Sequence, residues 1–154
     1  MTPDEFIEWL APVAQRICKD YNLFPSACIA QGALESGWGR YIIGEYNLFG
    51  RKWNGWGEYI EVPTTEYYDG NEVHVLDQFQ DYESLEQAIE DYCVLLTEEP
   101  VYGEVAGHYP NDREGYVQEL ARHYATDPDY AEKILATIRA CGLEEYDNSF
   151  DDRG

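Results

Sequence analysis

Positive charge is scarce in this chain. Ten lysines and arginines stand against 31 aspartates and glutamates, a formal net charge of −21 over 154 residues. Such a balance repels nucleic acid and anionic lipid within a Debye length, about 8–10 Å at ordinary salt. Long apolar runs are missing too: none approaches the roughly 20 residues that span a bilayer. The start, Met1-Thr2-Pro3-Asp4-Glu5, has neither the basic nor the apolar region of a secretory signal. Histidine occurs three times, scattered at His74, His108 and His123. The four cysteines, Cys18, Cys28, Cys93 and Cys141, form no C-x-x-C pair, so zinc-type ligand spacing is absent and no metal or cofactor is expected. Buried free thiols are the default expectation for them, with a Cys18–Cys28 bridge across a helix junction as the alternative. There is no G-x-S-x-G, phosphate-binding loop or H-E-x-x-H, which leaves little room for nucleophilic-triad, nucleotide or zinc-protease chemistry.

Aromatic residues, by contrast, make up 15% of the chain, and fourteen of them are tyrosines. Rings with an apolar face and a polar tip suit a sugar-lined cleft, and equally a tyrosine-rich core. The length suits one domain. No repeat or linker interrupts it, so a single catalytic-size domain over residues 1–147 and a polar tail over 148–154 are expected.

The elements follow from periodicity and caps. Thr2-x-x-Glu5 with Pro3 opens a first helix, carried by Phe6, Leu10, Val13 and Ile17. Pro12 should kink or split it. Ser26 after Pro25 is expected to cap a second helix with Ile29, Ala30, Ala33 and Leu34 on its apolar face, closed by Gly37. Asp69-Gly70 between Thr64–Tyr68 and Glu72–Phe79 signals a hairpin. Ser84-x-x-Gln87 caps a third helix; others are expected from about Asp112 to His123, and after Asp127-Pro128 with Tyr130, Ile134, Leu135 and Ile138 inward. The fold class is therefore α+β, mainly α, with one small hairpin.

Carboxylates remain as candidates for chemistry, and Glu35 stands apart from the others. It falls in the last turn of an otherwise apolar helix, where unpaired carbonyls carry partial negative charge and acidic residues are disfavoured. Beside Leu34 and Trp38, such a carboxyl should favour its neutral form, which is what a general acid requires. A solvated helix-end glutamate is the plainer reading of the same position.

Ala33-Leu34-Glu35-Ser36-Gly37-Trp38-Gly39 and Tyr46-Asn47-Leu48-Phe49-Gly50 resemble the glucosaminidase domain of glycoside hydrolase family 73. Autolysins, flagellar peptidoglycan hydrolases and phage lysins carry that domain. The likeness continues through Thr64-x-Glu66-Tyr67, Phe79-x-x-Tyr82-x-Ser84 and Tyr124-Ala125-Thr126-Asp127-Pro128-x-Tyr130-Ala131. It implies a lysozyme-like helical fold with a β-hairpin lobe beside a sugar groove. It also implies cleavage of the β-1,4 bond between N-acetylglucosamine and N-acetylmuramic acid, with peptidoglycan glycan strands as partner.

By resemblance, Glu35 matches the catalytic acid, Glu66 the second acidic position, and Tyr124 a tyrosine lining the catalytic centre. Glu66 is then either a general base or, where the substrate's own acetamido group attacks, a support with Tyr124 for the oxazolinium; a strand-edge carboxylate is its plainer role. Trp38, Tyr46, Asn47, Phe49 and Trp53 are candidate sugar contacts, each aromatic with a core-packing alternative. Arg51 and Lys52 suit substrate carboxylates or ordinary salt bridges. A muramidase, a lytic transglycosylase and an inactive wall-binding module are the competing readings. A monomer is expected, acting on the bacterial wall as a phage lysin made in the cytoplasm or as a domain of a secreted protein.

Overall fold

The structure, a computed structural model, describes residues 1–148; the expected tail falls outside them except for Asn148. Six helices are seen among these residues: α1 (Pro3–Asp20), α2 (Pro25–Ser36), α3 (Leu85–Glu98), α4 (Arg113–Tyr124), α5 (Tyr130–Cys141) and the single turn α6 (Glu145–Asn148). Two strands, β1 (Glu58–Tyr68) and β2 (Asn71–Asp81), separate α2 from α3. The class is mainly helical α+β, as the periodicities indicate.

α1 opens with the expected capping box, Thr2 and Glu5 each bonding the other's backbone N–H. Pro12 does not split it, because the proline lies on the exposed side of one continuous helix. The carbonyl of Glu8, deprived of its helical donor, is free to take water there.

α2 is the central helix, packed by α1 on one side and α5 on another. Residues 27–33 are buried all round, so the single apolar face read from the sequence is wrong. The small residues permit this. A Cβ on Gly32 would lie 3.0 Å from Leu10 Cδ2, leaving no space for a larger side chain. Around α2 the core is completed by Phe6 and Leu10 of α1, Ile89 and Leu96 of α3, Leu120 of α4, and Ile134 and Ile138 of α5. Each such burial contributes roughly 1.5–3 kcal/mol.

The cap of α2 also differs from expectation. Phe24 occupies the N-cap position, Pro25 starts the helix, and Ser26 lies inside it. Ser26 instead donates its N–H (2.8 Å) and hydroxyl (2.6 Å) to Asp147, which also accepts from Arg113 Nε at 2.6 Å. A carboxylate from the far end of the chain thus sits on the positive pole of α2. At the other end Gly37 closes the helix at φ +58°, as expected.

The hairpin is longer than the turn signals suggested. β1 and β2 pair antiparallel from Glu58↔Asp81 to Tyr68↔Asn71. Asp69 and Gly70 both take positive φ (52° and 81°), the requirement of a tight two-residue turn. Only the base is anchored to neighbouring chain: Gln80 N–H donates to Arg51 (3.0 Å) and Trp53 N–H to Gln78 (2.9 Å). Cys18, Cys28 and Cys93 are buried free thiols, and Cys141 is a half-buried one.

Candidate active site

The buried helix α2 delivers one carboxylate to the surface. Its last turn emerges from the core, so Glu35 is exposed while the two residues before Leu34, Gly32 and Ala33, are fully covered. Leu34 and Trp38 pack against the core. What holds Glu35 is a hydrogen bond. Tyr130, at the first position of α5, donates its hydroxyl to Glu35 Oε1 at 2.7 Å. Burial pushes the Tyr130 hydroxyl far above its usual range, with Gln31 lowering it and Glu35 raising it further, so the phenol stays a donor.

The ring of Tyr124, the last residue of α4, lies parallel to that of Tyr130 with centroids 5.9 Å apart. Burial and the neighbouring Tyr130 and Glu35 also raise its hydroxyl well above the ordinary tyrosine range. The segment between these two tyrosines, Ala125 to Asp129, is the Thr-Asp-Pro connection, so the motif brings both rings to one carboxylate. Tyr130, read from the sequence as a core residue, is the hydrogen-bond partner of Glu35 that reading missed. Its place in the Tyr-Ala-Thr-Asp-Pro-x-Tyr motif was the signal available.

Glu66 bonds within its own strand. It lies on β1 eight residues beyond the strand's start, roughly 27 Å along an extended chain. There it accepts a hydrogen bond from Tyr68 at 2.5 Å. It shares the half-buried face of the hairpin with Ile60, Val62 and Thr64. Ile60 reaches the loop after α2, where a Cβ on Gly44 would come within 2.5 Å of it. That face therefore turns toward the helical body.

The remaining candidates divide by burial. Asn47 is 1% exposed. Its amide donates to the carbonyls of Arg51 and Gln80 (both 3.0 Å) and accepts from Arg51 N–H (3.0 Å). It holds the loop to β2 and is out of reach of a sugar. Phe49 stacks on buried Tyr92 (4.6 Å, 22°) and Trp38 meets Phe6 edge-on at 6.0 Å. Both rings, like that of Tyr46, are half-buried against the core. Trp53 packs on Tyr59 at 4.7 Å and donates its indole N–H to the carbonyls of Trp56 and Gly57. Arg51 pairs with Asp91 (3.2 Å) and Lys52 with Asp77 (2.9 Å), the salt-bridge reading in both cases. Among the described residues no group of three or more His, Cys, Asp or Glu is placed to hold a metal ion.

A cavity of about 550 Å³ walled by Phe24, Tyr109, Arg113 and Tyr116 opens at the opposite end of α2, roughly 15 Å of helix away from Glu35. That cavity contains none of Glu35, Tyr124 and Tyr130.

Residues 11–143 match the glucosaminidase family model, described as mannosyl-glycoprotein endo-beta-N-acetylglucosaminidase. The chain belongs to the glucosaminidase family. Among relatives of this family, the peptidoglycan hydrolase FlgJ of Vibrio parahaemolyticus is 32% identical over 144 residues, 87% of this chain and 46% of that protein. The exo-glucosaminidase LytG of Bacillus subtilis is 32% identical over 92% of this chain and 52% of its own length. The chain thus spans about half the length of these curated relatives. The catalytic domain of the autolysin Auto from Listeria monocytogenes superposes with a TM-score of 0.83 at 34% identity, covering 94% of this chain and 87% of that one. The glucosaminidase fold implied by the sequence motifs is the fold observed.

Proposed function

We propose that this glucosaminidase-family domain is a peptidoglycan hydrolase, an endo-β-N-acetylglucosaminidase cutting the β-1,4 bond from N-acetylglucosamine to N-acetylmuramic acid. The observation that carries this reading is Glu35, exposed at the end of a buried helix and held from one side by the Tyr130 hydroxyl. The carboxyl gives its hydrogen to the oxygen of the leaving muramyl unit as the C1–O bond breaks, and the bonding pair stays on that oxygen. Water then supplies hydroxyl to C1, and its remaining proton restores Glu35. Tyr124 and Tyr130 wall the centre where positive charge develops at C1. Trp38, Tyr46 and Trp53 offer ring faces to neighbouring sugars, and the domain acts as a monomer on the bacterial wall.

Two readings of the water step are separated by Glu66. As general base it would need to stand about 6.5–9.5 Å from Glu35 with a water between them. Attack by the substrate's acetamido oxygen needs no second carboxylate. The place of Glu66, only three residues before the turn, favours this second reading. Digestion of purified sacculi followed by reducing-end analysis tests the bond cut. A new N-acetylglucosamine reducing end is expected, whereas a muramic or anhydromuramic end would make the domain a muramidase or transglycosylase. Binding to sacculi without any release would make it a binding module. Glu66→Gln within a few-fold of wild type removes the general base.

A further inference from the structure

We infer that Gln31 is a positioning residue: from the buried centre of α2 it fixes, through Tyr130, which oxygen of Glu35 carries the acidic hydrogen. The inference rests on the reading of Glu35 as the acid. Gln31 is a 0%-exposed amide among Ile29, Ala30, Gly32 and Ala33, and an amide in such a place costs stability unless both its ends are bonded. They are. Its Oε1 accepts the hydroxyl of Tyr92, and its Nε2 donates to the hydroxyl oxygen of Tyr130 at 3.4 Å. The Tyr92 ring is itself fixed, 1% exposed and stacked on Phe49.

The directions of these bonds form a one-way chain. Tyr92 donating to Oε1 sets the amide one way round, with nitrogen toward Tyr130. An amide nitrogen can only donate, so the Tyr130 oxygen accepts there and its own hydrogen must go elsewhere. Glu35 Oε1, at 2.7 Å, is where it goes. A neutral carboxyl has one O–H and one free oxygen. With Oε1 engaged as acceptor, the hydrogen resides on Oε2, the oxygen left facing the glycosidic bond. Without Gln31, the Tyr130 O–H would be free to turn away, and the acidic hydrogen would be shared between an oxygen facing substrate and one facing protein. Positional losses of that kind reach ~100-fold in rate.

The test compares Gln31→Met, Tyr130→Phe and the double variant, with Glu35→Gln as reference, by kcat and KM on purified glycan strands. Thermal unfolding followed by circular dichroism reports that each is folded. Each single variant is expected to lose about 10–100-fold in kcat with KM unchanged, and the double to be no worse than the poorer single, since both break one chain. Losses that multiply in the double variant, or a KM change as large as the kcat change, would reduce Gln31 to a packing residue. Wild-type kcat in Gln31→Met beside a dead Glu35→Gln overturns the positioning role alone. Should Glu35→Gln itself stay active, the acid assignment falls first. If the methionine variant does not fold, Tyr92→Phe tests the same chain by releasing the amide to turn over; a lowered kcat is expected, and an unchanged one sinks the inference.

Discussion

Replacing Glu35 by glutamine sets two small stability effects against each other and removes the chemistry altogether. α2 has no basic residue in its last turn, so whenever Glu35 is ionised its carboxylate adds negative charge to the negative pole of a helix without local compensation. Removing that charge should stabilise the fold by ~0.3–1 kcal/mol at low salt. The same change weakens the bond from Tyr130, because a hydroxyl donates more strongly to a carboxylate (about 1.5–3 kcal/mol) than to an amide oxygen (about 0.5–1.5). The two terms nearly cancel, and the melting temperature should stay within about 3 °C of wild type, while turnover drops by roughly 10²–10⁴. Tyr130→Phe removes the opposing term. In that background Glu35→Gln should raise stability, and the gain should shrink as salt shortens the Debye length from about 30 Å at 0.01 M to about 3 Å at 1 M. Urea unfolding of the four proteins at both salt concentrations measures it. A glutamine that destabilises the Tyr130→Phe protein, or a gain indifferent to salt, would refute the electrostatic account of this helix end.

Further outcomes follow from the core and the tether. Asp147→Ala strips Ser26 and Arg113 of their shared acceptor; with Arg113 partly solvated the loss should be about 2–4 kcal/mol by urea unfolding, and a change below ~0.5 would contradict the tether. Burial raises the hydroxyls of Tyr92, Tyr116 and Tyr124, and a hydrogen bond to Glu90 holds Tyr21 at about 12. Unfolded tyrosines ionise near ~10, so above that pH the folded state binds more protons than the unfolded one. Stability is then complete below pH ~10 and falls as pH rises beyond it. Ultraviolet titration of the fourteen tyrosines should show one group ionising reversibly and the rest only with unfolding, and a single uniform transition in folded protein would refute this.

Local signals carried most of the fold. Thr2 and Glu5, Gly37, Asp69-Gly70 and Ser84 each act through residues within four positions, and each does in the structure what its chemistry requires. Ser26 failed as a cap because its partner, Asp147, lies 121 residues away. α2 looked one-sided because alanine, cysteine and glycine carry little periodic signal, although their smallness is what allows close packing on every face. For the site, position along the helix singled out Glu35. Periodicity did not separate Tyr130 from Ile134 or Leu135, since inward direction alone does not reveal that a phenol at a helix start has a carboxylate within reach. Asn47 and Phe49 sit in a motif whose other members do not mark which way they face, and only tertiary contacts show them turned inward.

The hairpin's backbone bonds to neighbouring chain lie near its base, whereas α2 is enclosed by the rest of the domain. Amide protons of the two elements should consequently exchange with solvent through different events, local fraying near Asp69-Gly70 and global unfolding along residues 27–33. A glycan gripped by both would slow deuterium uptake in the arm and leave that of the helix unaltered, so occupancy of the groove could be followed on the protein without a labelled sugar.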